Sequence, residues 1–139
     1  EISLGLVGSE MCIRDSYYVL NTDRTRLYDR IDRRVDLMLE QGLIDEVQRL
    51  KEMGCHRGQT SMQGLGYKEI LDYLEGRCSL EEAVYILKRD TRHFAKRQLT
   101  WFRRERQVRW IELSGAPDDT SNALKQILKD CMDEGIVLQ

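Results

Sequence analysis

One proline in 139 residues, two phenylalanines, two histidines and four cysteines with no CxxC pair set the first limits. So little proline leaves long helices uninterrupted. Widely spaced cysteines argue against both a disulfide framework and a zinc site, and fit a reducing, cytoplasmic setting. No apolar run approaches the length of a membrane span, so no membrane is expected among its partners. No GxxxxGK[ST] stretch occurs, which removes a P-loop from this chain, and no dinucleotide fingerprint replaces it. There is no repeat and no low-complexity tract.

What is present is charge, and it is unevenly spread. The formal net charge is −2 with 33% charged residues. Between residues 85 and 109, Lys88, Arg89, Arg92, Lys96, Arg97, Arg103, Arg104, Arg106 and Arg109 oppose only Asp90 and Glu105. From residue 112 onward acids outnumber lysines. The length suits one domain with a modest core.

The first sixteen residues, EISLGLVGSEMCIRDS, join abruptly to YYVL and are neither amphipathic nor a signal peptide. Met11 to Asp15 can be written ATG-TGT-ATA-AGA-GAC, the transposon end of a sequencing library. Leu6 to Glu10 fit the adapter upstream of it. Residues 1–15 are expected to be translated adapter with Ser16 as the junction codon, so that 1–16 is not native and 17–139 carries the protein. The alternative is a natural flexible N-terminus. Without these residues acids and bases balance, and Cys55, Cys78 and Cys131 remain.

YYVLN (17–21) reads as a short buried strand, followed by Asn21, Thr22 and Asp23 as helix caps. Leu27, Ile31, Val35 and Met38 recur at helical spacing until Gly42. A second helix carries Leu43, Val47 and Leu50 and ends near Gly54; residues 55–61 form a loop. A third helix places Ile70, Leu71 and Leu74 inward and stops at Gly76. Ser79-Leu80-Glu81-Glu82 is a capping box that opens a helix over 80–105. VRWIEL (108–113) alternates like a strand. Pro117 and Asp118 mark a turn before a last helix with Ala123, Leu124, Ile127, Leu128 and Cys131. The expectation is a mostly α-helical chain with two short strands that belong to an incomplete sheet, since two such strands make no stable sheet by themselves.

Two stretches carry chemistry. On the 80–105 helix, Ala83, Val84, Leu87, Phe94, Ala95, Trp101 and Phe102 fall on one face and are expected in the core. Arg89, Arg92, His93, Lys96, Arg97, Arg103 and Arg104, with Thr100, fall on the other. Like charges one turn apart repel by a few tenths of a kcal/mol, roughly, per pair, so an anionic partner such as a phosphate backbone is expected. The bland alternative is a solvated face. Gln98 projects into the apolar face, either as a core amide bonded to backbone or as a group facing a cleft. In SMQGLGYKE (61–69), two glycines at a helix start permit close backbone approach, and the amides there favour an anion. Tyr67 and Lys68 are placed to stack on a base and pair with a phosphate. A tight interhelical turn with no ligand accounts for the same pattern.

The segments LYDRIDRRVDLMLEQGLIDEVQRL, QGLGYKEILDYLEG, SLEEAVYILKRDTRHFAKRQLTWFRR and VRWIEL, in this order, resemble the C-terminal part of bacterial tRNA dimethylallyltransferases. The resemblance covers residues 17–113; residues 114–139 lie outside it. It implies a P-loop-type, nucleotide- or ATP-binding α/β core with a helical tRNA-binding insertion, and a Mg²⁺ ion. It also implies transfer of a dimethylallyl group from dimethylallyl diphosphate to N6 of the tRNA adenosine 3′ of the anticodon. The tRNA contacts it implies are Gln63, Gly64, Leu65, Gly66, Tyr67 and Lys68, then Lys96, Arg97, Gln98, Leu99, Thr100, Trp101, Phe102 and Arg103. These would meet the anticodon stem-loop, with Gln98 toward the cleft that takes the flipped base. Arg30 and Arg34, one turn apart, are candidates for a diphosphate or tRNA contact, or else for surface ion pairs with Asp29 and its neighbours. The family's P-loop and general-base aspartate fall in a portion this chain lacks. No catalytic residue or metal ligand is therefore expected here, and no turnover by the 139 residues alone. A monomer is expected. The competing readings are a free-standing helical RNA-binding module, a prenyltransferase of free adenine nucleotides, and a DNA-binding helix-turn-helix around residues 61–75. The long basic face weighs against the nucleotide branch and the net-acidic third helix against the last.

Overall fold

A computed structural model of the chain describes residues 17–105 and 108–133. The adapter reading of residues 1–16 therefore lies outside the described residues. The elements run β1 (Tyr17–Thr22), α1 (Arg24–Glu40), α2 (Leu43–Glu52), a 3-10 turn (Thr60–Gln63), α3 (Tyr67–Leu74), α4 (Leu80–Phe102), β2 (Val108–Leu113) and α5 (Asp119–Asp133). They divide into a helical unit, residues 24–100, and a strand unit formed by the described residues on either side.

In the helical unit the chain turns at Gly42, whose φ of 95° closes α1 and opens α2. Its N–H donates to the Leu39 carbonyl at 3.1 Å and its carbonyl accepts from Glu46 N–H at 3.0 Å. A side chain there would be strained by the left-handed backbone. Asp45 and Glu46 in the first turn of α2 and Arg49 and Lys51 in the last complement the helix dipole. Val35, Leu43, Val47, Met62, Ile70, Leu71 and Leu87 form the core. Each such side chain contributes about 1.5–3 kcal/mol by leaving water. The Lys51 ammonium donates to the Leu74 carbonyl at 3.1 Å, tying α2 to the end of α3.

At the start of α4, Ser79 Oγ accepts from Glu82 N–H at 3.1 Å, as the capping box requires of its serine. The core contribution of α4 is confined to its first turns: Ala83 and Leu87 are buried, and Leu80 and Val84 pack against the cluster. The expected burial of the later aromatics does not occur. Phe94 is 44% and Trp101 54% exposed, and Phe102 is half-buried. Side chains from α1, α2 and α3 fill the core around the first two turns of α4, and further along its apolar face Ala95 and Leu99 are only partly covered.

In the strand unit β1 and β2 pair in parallel, from Tyr17 opposite Val108 to Thr22 opposite Leu113. Parallel strands demand a long crossover, which the helical unit supplies. Asn21 and Thr22 are strand residues rather than caps. The Asn21 amide donates to both Glu112 carboxylate oxygens (2.8 and 3.0 Å), and Thr22 Oγ donates to the Leu113 carbonyl at 2.9 Å. Val19, Ile111 and Ala123 are buried, while Leu20 is 55% and Leu124 55% exposed. Leu124 was expected inward. The sheet is incomplete: parallel sheets are normally covered on both faces, and this pair is not. Tyr18 Oη donates to Asp130 at 3.0 Å, linking β1 to α5. Burial pushes the Asp119 carboxyl up, but the Ser114 hydroxyl and the amides of Gly115, Ser114 and Ala116 outweigh it and hold the group below its ordinary value.

Candidate nucleic-acid interface

The glycine turn is built around a carboxylate. Gly66 has φ 103° and ψ −47°, and its N–H donates to Glu69 Oε2 at 2.8 Å. Glu69 is 3% exposed. Its other oxygen lies 3.2 Å from the Lys68 ammonium yet has no hydrogen-bond donor. The contact is thus an ion pair without a hydrogen bond. Lys68 also lies 3.8 Å from Asp90 on α4. Tyr67 Oη donates to Glu46 at 2.5 Å. That bond, with burial and the charge of Glu46 adding to it, raises the phenol above its ordinary value.

Of the two sequence readings of this turn, its inner side fits the tight interhelical turn better than an open anion cradle. The Gly66 amide is taken by the chain's own Glu69, and Lys68 is shared between Glu69 and Asp90. What remains open is the outer rim: Gln63, Gly64 and Leu65 are exposed, with the Gln63 amide bonded to the Arg57 carbonyl.

The basic face of α4 is likewise less free than its spacing suggests. Arg92 donates to both oxygens of Asp32 on α1 at 2.8 Å, and Lys88 meets Asp36 at 2.6 Å. These partners are each one helical turn apart on their helices, so the two pairs form a ladder between α1 and α4. Arg89 bonds its neighbour Asp90 at 2.8 Å. That bond first, then the charges of Arg89, Lys68 and His93, hold the Asp90 carboxyl below its ordinary value against the opposing effect of burial. The sequence reading missed Asp32 and Asp36. Their own i,i+4 spacing, matched to that of Lys88 and Arg92, was the available signal.

Beyond the ladder the cations change character. Lys96, Arg97, Arg103 and Arg104 are exposed and have no carboxylate partner among the described residues. The Arg97 guanidinium lies 5.7 Å over the Phe94 ring. Thr100 Oγ donates back to the Lys96 carbonyl at 2.9 Å. Gln98 is exposed, not buried in an apolar face. Leu99 is half-buried. Trp101 stands edge-on to Phe102 with centroids 5.1 Å apart, and Phe102 tilts against Tyr17 at 5.8 Å. Asp90, the Lys68 contact on α4, precedes Lys96 by six residues, roughly 9 Å along the helix axis. Within the helical unit, the α4 contact of the glycine turn thus lies on the same helix as Lys96 and Arg97. Arg30 and Arg34 are both exposed, and neither makes an ion pair with Asp29 among the described residues. Nor do the described residues group three His, Cys, Asp or Glu side chains as a metal site.

A family model described as IPP transferase matches residues 10–105, well over half of the chain. The chain belongs to the IPP transferase family. It is 55% identical over 130 residues to the tRNA dimethylallyltransferase of Lachnoclostridium phytofermentans, covering 94% of this chain and 41% of that protein. Among solved structures, the full-length tRNA isopentenylpyrophosphate transferase of Bacillus halodurans superposes with a TM-score of 0.77 at 44% identity, over 85% of this chain and 39% of that one. The corresponding enzyme of Staphylococcus epidermidis gives 0.71 at 38% identity, over 86% and 37%. The chain therefore spans about two fifths of the length of the IPP transferases it matches. No helix among its described residues is long and apolar enough to cross a membrane.

Proposed function

We propose that this chain supplies tRNA-binding surface to a tRNA dimethylallyltransferase. The enzyme's substrates on this reading are dimethylallyl diphosphate, with Mg²⁺, and the adenosine 3′ of the anticodon. The observation that carries the proposal is that Lys96 and Arg97 on α4 are exposed and have no carboxylate partner among the described residues, and that Arg103 and Arg104, which follow exposed Trp101 in the strand unit, have none among them either. Carboxylates pair with Lys88, Arg89 and Arg92, whereas no described carboxylate pairs with these four cations. Cations so placed hold phosphates, which position an RNA without reading its sequence. An exposed indole adds a surface on which a base can stack. Arg30 and Arg34 on α1 add two further exposed cations for tRNA or diphosphate. Chemistry needs a base at the adenine amine and a cradle for the leaving diphosphate. The chain carries no P-loop motif, so it binds without turning over.

The test is a fluorescence-anisotropy titration of a tRNA anticodon stem-loop with the 139-residue chain at several salt concentrations. Binding should weaken with salt, and Lys96→Ala or Arg103→Ala should each reduce the salt slope by about one. A chain beginning at Tyr17 should bind equally well, since residues 1–16 have no part in this reading. Salt-independent or absent binding refutes the proposal, and dimethylallyl transfer by the chain alone refutes its catalytic half.

A further inference from the structure

A cavity of about 410 Å³ opens beside the glycine turn, lined by Met38, Gln41, Leu43, Glu46, Leu65 and Tyr67. All six residues lie in the helical unit. We infer that this pocket is a subsite for one unstacked RNA base, and that it selects a base carrying an exocyclic amino group. The inference rests on the tRNA-binding reading above and deepens it.

The lining decides the class of occupant. Met38, Leu43 and Leu65 offer apolar surface to a flat ring. Tyr67 Oη donates to one oxygen of Glu46, which orients the carboxylate and leaves its second oxygen as an acceptor with no partner among the described residues. The Gln41 side chain is exposed and likewise makes no hydrogen bond among them. A free phosphate is repelled by Glu46. A plug of apolar side chains from a protein segment would bury Glu46 and Gln41 without partners, which is costly. A base satisfies both surfaces: its ring covers the apolar groups while its amino group donates to the carboxylate. Glutamate accepting from cytosine N4 and glutamine pairing with adenine are standard matches of this kind. Uracil presents an acceptor where adenine or cytosine presents an amine, so it meets the carboxylate with the wrong sign. Leu65 and Tyr67 connect the pocket directly to the turn that leads into α3.

The experiment uses stem-loop RNAs in which each loop base is replaced in turn by its amino-free counterpart, purine for adenine and uracil for cytosine. A stem without the loop serves as the base-independent reference. At one loop position the loss of the amino group should weaken binding to the wild-type chain about tenfold, equivalent to about 1.4 kcal/mol. In Glu46→Leu and Gln41→Ala the same replacement should cost less than twofold, with binding of the loop-free stem unchanged. Both residues are exposed, so circular dichroism should show both variants folded. Intact salt-dependent binding in which every replacement affects wild type and variants alike overturns the pocket alone and leaves it to a protein segment. Absence of salt-dependent binding to any stem-loop overturns the tRNA-binding reading and this one with it.

Discussion

Replacing Gly66 by alanine tests the account of the glycine turn most directly, because Gly64 two residues earlier provides an internal control. Gly66 combines φ 103° with ψ −47°. A left-handed helical residue already costs a side-chain-bearing residue roughly 1–2 kcal/mol. This ψ is further from the allowed left-handed region, where strained residues cost up to about 3 kcal/mol. Space is not the obstacle. A Cβ at Gly66 would stand 3.8 Å from both the Leu43 and Met38 side chains, in ordinary contact. Alanine also reduces the freedom of the unfolded chain, offsetting about 0.4–1 kcal/mol. Gly66→Ala should therefore destabilise by about 2 kcal/mol, all of it conformational. Gly64 has φ −60° and ψ 148°, open to any residue, and its Cβ would meet Ser61 O at 3.7 Å and the Tyr67 ring at 3.8 Å. Gly64→Ala should be neutral or stabilising by up to about 1 kcal/mol. Urea unfolding reads the difference. With a slope of roughly 1–3 kcal/mol/M for small proteins, the Gly66 variant should lose on the order of 1 M in midpoint and the Gly64 variant none. Equal midpoints for the two variants would refute the argument that backbone conformation, not crowding, holds glycine at 66.

The ion-pair ladder is checked by double-mutant cycles in the same assay. Asp32 with Arg92 should couple by about 0.5–1 kcal/mol, and Asp36 with Lys88 by less because Asp36 is the more exposed carboxylate. Zero coupling at Asp32–Arg92 would show that the ladder is ornamental and that α1 is held on α4 by other contacts. Asp90 supplies a pH signature. Its folded value lies below its ordinary 3.8, so its contribution is present above that pH and is lost as pH falls through the lower folded value. Asp90→Asn should therefore be less stable than wild type at pH 7, and the gap should close on acidification. A gap that widens in acid contradicts the sign.

The sequence alone determined the order and kind of the elements. Apolar residues at helical spacing located α1 to α5 because one buried stripe is the condition for a helix to pack, and Ser79 with Glu82 marked the start of α4 because a helix leaves its first amides unpaired. The alternating 108–113 stretch and the aromatic 17–21 stretch marked the strands, and their shortness already implied a sheet larger than the pair. The family, too, was legible, since GLGYKE followed by AKRQLTWFR is local pattern. Only the tertiary structure decided which charges are free. Periodicity puts Arg92 and Lys96 on one face of α4 with equal claim to a phosphate. Asp32, sixty residues away in the chain, removes the first from contention and leaves the second. The same holds for the glycine turn, where Glu69 fills from within the anion site that the amides alone advertise. It holds again for Phe94, Gln98 and Trp101, which spacing assigns to an apolar face but which are exposed among the described residues. Spacing along one helix records what that helix can present; burial and pairing depend on which other segment arrives opposite, and that information is not local.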